Sequence, residues 1–238
     1  MRGSLLFLWI ALGLAAADRD RIVVLTFDDA VSSQATYAAP LLKKYGFGAT
    51  FYICEFPPDF DDKSKYMTWE QIRKLDRMGF EIANHTRTHK HVGKMSPAEF
   101  DTELSYIEDK LKALKIRRPT TFAYPGYGTS RQAIAELPKR GYRYARIGGE
   151  RAYDPAKDDP MLIPSFSTTG TDKQRVLKAI EQAAPGRIVV LTLHGVPDNA
   201  HAWVNTPPEL FAEYLAYLHQ HKFKVIALRD LHKYIRQN

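Results

Sequence analysis

Ile22-Val23-Val24-Leu25-Thr26-Phe27-Asp28-Asp29 is a β-rich apolar run that ends directly on two carboxylates. Such a run has no polar face, so the strand it forms is covered on both sides, as in parallel sheets whose crossover helices pack against them. Working outward, strand candidates occur at 49–53, 80–83, 121–124, 142–147, 161–163, 188–193 and 223–227, several of them also continuous apolar runs, separated by amphipathic segments. That alternation implies right-handed crossovers. Seven or eight such units predict an α/β fold, a distorted (β/α) barrel of TIM-like kind with about seven parallel strands in one domain. An open doubly wound sheet is the alternative. No Gly-rich phosphate loop follows the first run, so nucleotide binding has no support.

Helix starts are chemically marked. Ser96-Pro97-Ala98-Glu99 and Thr206-Pro207-Pro208-Glu209 combine a hydroxyl cap, an early Pro and a reciprocal Glu, while Thr68 with Gln71 and Thr171 with Gln174 repeat the capping pattern. Phe100, Leu104, Ile107, Leu111 and Leu114 recur at steps of four and three and make one core-facing stripe.

Composition narrows the chemistry. The 238 residues are 45% hydrophobic and 26% charged, ordinary for a packed globular chain, and 34 basic against 27 acidic side chains give a net charge of +7 without a polybasic tail. Nucleic acid is not an expected partner. The single Cys54 excludes an intrachain disulfide and a thiolate zinc cluster, so a metal must sit on His and carboxylates; Cys54 itself is expected to be buried and inert. Arg2 precedes an apolar stretch at 5–17 that closes on Ala15-Ala16-Ala17. That pattern reads as a secretory signal over 1–17 and a mature domain over 18–238, secreted or periplasmic, without integral membrane association.

The residues with chemical potential fall at strand ends. Adjacent acids such as Asp28 and Asp29 serve either as a turn or helix cap or as a catalytic pair. In His85-Thr86-Arg87-Thr88-His89 the spacing of four puts two imidazoles on one face of a helical turn, able to reach one ion, with His91 a solvated neighbour. His194 closes the run at 188–193 and is either a buried imidazole bonded to backbone or a functional one. In a barrel the ends of the first, third and seventh strands share a rim, where Asp28, Asp29, His85, His89 and His194 converge.

Four blocks, Thr26-Phe27-Asp28-Asp29, His85 to His89, Phe122-Ala123-Tyr124-Pro125-Gly126-Tyr127-Gly128 and Leu191-Thr192-Leu193-His194, together resemble the polysaccharide deacetylases, also called NodB-homology or carbohydrate esterase family 4 enzymes. The resemblance implies hydrolysis of acetyl groups from an acetylated glycan. It implies Asp29, His85 and His89 as ligands of a divalent metal, Asp28 as base and His194 as acid. Zinc is the first choice of ion, with cobalt, nickel, manganese or iron as others. The third block supplies substrate contacts at Tyr124, Pro125, Gly126 and Tyr127, with a backbone N–H at Gly126 or Tyr127 facing the oxyanion. An N-acetyl group is preferred to an ester on the family's habit.

The pattern departs from the family in three places. Ala123 stands where the family usually has an Arg that positions the base; Arg146 is the candidate to replace it. Gly126 is an apparent insertion, and around Ile163-Pro164-Ser165-Phe166 no Asp-Trp pair is found. Over the rim, the loop at 196–208 offers His201 and Trp203, whose indole can stack on a sugar, and 56–66 is a candidate lid. Two other readings stay open: a non-catalytic glycan-binding barrel, and a two-His, one-carboxylate iron oxygenase.

Overall fold

The computed structural model describes residues 20–235; the leader expected over 1–17 lies outside them. Among the described residues there are eight strands: β1 (Ile22–Phe27), β2 (Thr50–Ile53), β3 (Glu81–Asn84), β4 (Thr121–Ala123), β5 (Tyr144–Arg146), β6 (Phe166–Ser167), β7 (Val189–Leu193) and β8 (Lys224–Ile226). Between them lie α1 (Ala39–Tyr45), α2 (Trp69–Arg77), α3 (Pro97–Ala113), α4 (Arg131–Lys139), α5 (Lys173–Ile180) and α6 (Pro208–Gln220). Among the described residues no helix is long and apolar enough to cross a membrane.

The sheet order is β5-β4-β3-β2-β1-β7-β6, and every strand pairing in it is parallel. β1 is the hub. It pairs with β7 from Val23↔Val189 to Phe27↔Leu193, while its other edge is shared by β8 at Ile22–Val24 and β2 at Thr26–Phe27. The sheet curls into part of a barrel: the segment leading into β6 meets β5 through the single parallel bridge Arg146–Ile163, then β6 pairs with β7.

The sixth strand is displaced from its expected place at 161–163. Pro160–Leu162 forms a 3₁₀ turn, because Pro160 offers no N–H to a ladder and the Asp159 carboxylate accepts the Met161 N–H at 2.8 Å; extended chain resumes at Phe166, after Pro164. Capping boxes form at Ser96 and Thr68 as expected. Two others do not. Asp172 caps α5 in place of Thr171, and Thr206 bonds Thr168 Oγ1 at 2.8 Å instead of capping α6.

Period-two alternation along the strands separates helix-side packing from an inner cluster. Val23, Leu25, Phe27, Phe51, Ile53 and Leu191 pack against Leu42, Ile72, Phe211 and Leu215 of the helices. Val24, Tyr52, Ala83, Ala123, Tyr144 and Val190 form the inner cluster. Following the inner alternation to the carboxyl ends of the strands, through Thr26 and Thr192, gives Asp28, His85, Arg146 and His194: the apolar interior ends where the chemistry begins.

Candidate metal centre and active site

The Asp28 N–H bonds Leu193 O at 2.9 Å, prolonging the β1–β7 ladder, and the Gln34 side-chain amide donates to the carbonyls of both Asp28 and His194. Beyond Asp28 the chain turns sharply, with Asp29 at φ 72° and Ala30 at φ 53°. Asp tolerates this left-handed region better than most side chains.

His85 and His89 do not share a helical turn, contrary to the spacing-based expectation; residues 85–89 form an irregular loop. Asn84 Oδ1 accepts the Thr86 N–H at 2.9 Å, holding Thr86 at φ 61°, and the Thr86 hydroxyl accepts the His89 N–H at 3.1 Å with His89 at φ 55°. Glu103 on α3 accepts from both the Thr88 N–H and its hydroxyl, at 2.7 and 2.8 Å. Left-handed non-Gly residues cost about 1–3 kcal/mol each, and here surrounding hydrogen bonds enforce them at the site. His91 is exposed, yet its ring lies against Gly128, where a Cβ would stand 2.0 Å from it.

The metal question turns on His85. Its Nδ1 lies 2.8 Å from Ala123 O; a carbonyl only accepts, so Nδ1 carries the proton and Nε2 presents a lone pair. That buried Nε2 has no hydrogen-bond partner among the described residues, and it faces Asp29 Oδ1 at 3.4 Å and Asp28 Oδ2 at 3.8 Å. His89 Nε2 is also 3.4 Å from Asp29 Oδ1. Acceptors gathered this closely in a buried site demand a cation or a proton between them. The ligand atoms of Asp29, His85 and His89 lie within 4.8 Å of one another, and the two 3.4 Å separations from Asp29 to the imidazoles are ones that a single ion with bonds of about 2.0–2.2 Å bridges.

Titration follows the same demand. Burial works against a charged His85, but the charge of Asp28 and the adjacent Asp29 carboxylate raise it above its ordinary value. Burial and the neighbouring His85 hold His89 down at about 4, keeping its lone pair free. Burial would raise Asp29, yet the close His85 imidazole and the charges of His194 and His89 hold it well below the usual carboxylate range. Cys54 is buried with its Sγ 3.7 Å from Asp29 Oδ1; burial and the two Asp charges push the thiol far up, which leaves it an unreactive S–H.

Arg146 is fully buried and gives Nη2 to Asp28 Oδ2 at 2.5 Å. Its Nη1 donates to Thr192 Oγ1 at 3.1 Å, which passes the bond to Ser165 Oγ at 2.8 Å and on to Ile147 O at 2.6 Å. The guanidinium also lies 5.5 Å from the ring centres of both Tyr52 and Tyr127. Gly148 permits the close approach of Tyr127, since a Cβ there would stand 2.9 Å from its ring. Asp28 Oδ1 is left buried and without a partner among the described residues. His194 Nε2 is 3.7 Å from Asp29 Oδ2, and its Nδ1 is likewise unpartnered there.

Asp28, Asp29, His85, His89, His194, Tyr124, Gly126, Tyr127 and Trp203 line one cavity of ≈ 780 Å³, together with His201. Pro125 does not join them: it is buried and shapes the turn, accepting the Gly128 N–H at 3.1 Å. The Tyr127 N–H, one of the two amides expected at an oxyanion, is already given to Tyr124 O at 3.0 Å. The stretch at 56–66 is no free lid, because Phe60 and Tyr66 are buried in the helix-side core. Sequence reasoning missed Thr192, Ser165, Gln34, Asn84 and Glu103; only Thr192 carried a signal, standing two residues before His194 on the same strand face.

A family model described as polysaccharide deacetylase matches residues 15–145, more than half of the chain. The chain belongs to the polysaccharide deacetylase family. The matched stretch holds Asp28, Asp29, His85 and His89, and stops just before Arg146. A chitin deacetylase from Pestalotiopsis sp. is 25% identical over 143 residues, 60% of this chain and 46% of that protein. This family member spans less than half the length of the curated relatives it matches. Its fold is shared with a family 4 acetyl xylan esterase from Clostridium thermocellum, solved with a cobalt ion, at 23% identity over 89% of this chain and 90% of that one, TM-score 0.62. It is shared too with a CE4 family pseudoenzyme from Bacillus anthracis, at 15% identity over 89% and 65%, TM-score 0.59.

Proposed function

We propose that this chain is a metal-dependent hydrolase that removes acetyl groups from a polysaccharide or oligosaccharide, N-acetyl in preference to O-acetyl, with zinc on Asp29, His85 and His89. One observation carries the reading: the buried lone pair of His85 Nε2 faces Asp29 with no proton donor between them, beside a second carboxylate and a third imidazole. When bound, the ion supplies Lewis acidity, polarising the acyl oxygen and lowering the pKa of a coordinated water to about 7.

The chain's own groups do the rest. Arg146 occupies Asp28 Oδ2, so Oδ1 is the atom that takes the proton of the attacking water. The water oxygen bonds to the acyl carbon, and the backbone amide at Gly126 is the remaining candidate to hold the oxyanion. His194 Nε2 gives its proton to the sugar nitrogen as the carbon–nitrogen bond breaks, releasing acetate and a free amine. Arg146 thereby does the work that Ala123 cannot, which weighs against the non-catalytic reading that a pseudoenzyme in the family keeps alive. An iron oxygenase would leave Asp28 and His194 without a task.

Arg2 and the apolar stretch at 5–17 support export, so the proposed location is secreted or periplasmic. The test is acetate release by purified protein from N-acetyl-oligosaccharides and acetylated xylan, with and without chelator. Acetate from the first panel, lost on chelation and restored by zinc, is the expected result. No acetate from any substrate with any divalent ion moves the protein to the binding class.

A further inference from the structure

Crossover helices run back against the parallel strands they join, so the helices end at the face of the barrel opposite the active-site cavity, where the amino ends of the strands also lie. Lys or Arg in the last turns of α1 to α5 suits the helix macrodipole and calls for no further account. The loops beyond those turns do. The segments at 114–120, 140–143, 184–187 and 221–224 lie between α3 and β4, α4 and β5, α5 and β7, and α6 and β8, and together they hold eight Lys or Arg and no Asp or Glu. That exceeds the net charge of +7 of the whole chain.

The eight cations are Lys115, Arg117, Arg118, Arg140, Arg143, Arg187, Lys222 and Lys224, and all but the half-buried Arg140 are exposed. Arg118 and Arg140 share Glu108, and Arg140 also meets Asp101; no carboxylate stands within 4.0 Å of the other six among the described residues. Lys115 and Lys222 sit at φ 59° and 57°, the left-handed position that Gly46, Gly79 and Gly141 fill at other helix ends. Lysine holds that backbone with more strain than glycine.

Between the end of α3 and the segment after β8 lies a second cavity, of ≈ 870 Å³, whose wall includes Lys112, Lys115, Arg117, Arg118 and Arg229. Arg229 is fixed there, giving Nη2 to Gly79 O at 2.8 Å and Nη1 to Phe80 O at 3.2 Å. Asp76, Glu108 and Asp109 also line it, but Glu108 is already engaged by two guanidinium groups. The basic surface continues towards β5, because Arg118 lies against Gly141, where a Cβ would stand 2.9 Å from its Nη1.

The large apolar side chains exposed among the described residues, Tyr127 and Trp203, belong to the active-site cavity and not to this face. A face seated in a membrane presents an apolar surface, and a site for single-stranded nucleic acid presents aromatic platforms. Neither is found here. What the face offers is charge, much of it on arginine forks that match a carboxylate or a phosphodiester.

We propose that this face binds a linear polyanion, a flexible polymer with one anionic group on each repeat, and so moors the protein with its active-site cavity turned away from the anchor. The polymer is not the substrate, and the inference stands whether or not the acetyl chemistry does.

Fluorescence anisotropy on the full chain, with labelled poly(glycerol phosphate) and labelled polygalacturonate as probes, supplies the two sources of charge. At least one polymer is expected to bind, and to weaken roughly fiftyfold between about 50 and 200 mM salt, which is what about four neutralised charges require. The triple variant Lys112→Gln, Lys115→Gln, Arg117→Gln removes three exposed cations that carry no ion pair among the described residues. It should lose about tenfold or more in affinity and flatten the logarithmic salt slope by about 2, with its unfolding temperature unchanged. A control triple, Lys90→Gln, Lys94→Gln, Arg131→Gln, removes the same charge from the opposite end of the molecule and should keep most of the affinity. Absence of binding to both polymers at about 50 mM salt, or equal losses in the two triple variants, overturns the proposal. Tighter binding to anionic vesicles, or to duplex DNA of equal charge, than to both polymers overturns it as well.

Discussion

Arg146 Nη2 lies 2.5 Å from Asp28 Oδ2, joining the last residue of β5 to the residue that follows β1, 118 positions earlier. Both side chains are buried, so the pair is a matched charge set in a medium that penalises either member alone. The two aromatic rings about the guanidinium and the Thr192–Ser165 hydroxyl chain leave it little choice of direction.

Removing one partner therefore strands the other. Arg146→Met is expected to lose about 3–5 kcal/mol in urea unfolding, with acetate release falling as Asp28 loses its hold. Arg146→Lys restores charge without the planar fork and falls between the two. A Met variant as stable as the wild type contradicts the role given to the pair.

His194 and His85 should separate chemistry from ligation. His194→Ala keeps its cation by elemental analysis while kcat drops roughly 10²- to 10⁴-fold, the usual worth of a positioned general acid. His85→Ala loses the cation. Metal loss in both variants would make His194 a ligand.

Glu81 gives a pH test remote from the candidate metal site. Burial raises its carboxyl above the ordinary 4.5, against the opposing bonds from Thr50, the Arg229 N–H and Thr121. A group that holds its proton more tightly when folded costs stability as pH rises from its unfolded value through its folded one. Stability should accordingly decline from pH 4.5 upward, and Glu81→Gln should flatten that decline. The Gln oxygen can keep the Thr50 and Arg229 donors while its amide turns to Thr121. Unfolding free energy across that window, identical in both proteins, would count against the assignment.

Gly48 and Gly128 make a steric pair. A Cβ at Gly48 would stand 2.6 Å from Ala227 N and 2.9 Å from Ile226 C, backbone that cannot yield without moving β8. Gly48→Ala is expected to cost about 1–3 kcal/mol. At Gly128 the nearest atoms to an added Cβ belong to the exposed His91 ring, a side chain that can swing into solvent, so Gly128→Ala costs less. Thermal denaturation of the two variants ranks them; the reverse order would refute the contact geometry.

Much of this was legible in the chain. Asp28 and His194 announce themselves because each ends an apolar run where a buried strand must stop, His85 through its spacing of four to His89, and a shared barrel rim gathers them. The loop between His85 and His89 was not legible, since its left-handed turns depend on Asn84 and on Glu103 from α3, contacts that local spacing does not encode. The sixth strand was misplaced because Asp159 and Pro160 override an apolar stretch with a local hydrogen bond. Arg146 stood out only through the gap at Ala123; Thr192 and Ser165 look like ordinary strand hydroxyls until the guanidinium is in place.

The central claim is that one cation on Asp29, His85 and His89 and the proton groups of Asp28 and His194 act on the same acyl carbon. Zinc returned stepwise to chelated protein, with bound ion and acetate release measured together, tests it most directly. Release should climb in proportion to occupancy and stop climbing at one zinc per chain, and Asp29→Ala should stay silent at the same zinc concentration. Full acetate release from chains carrying no ion, or none at saturation, would contradict it.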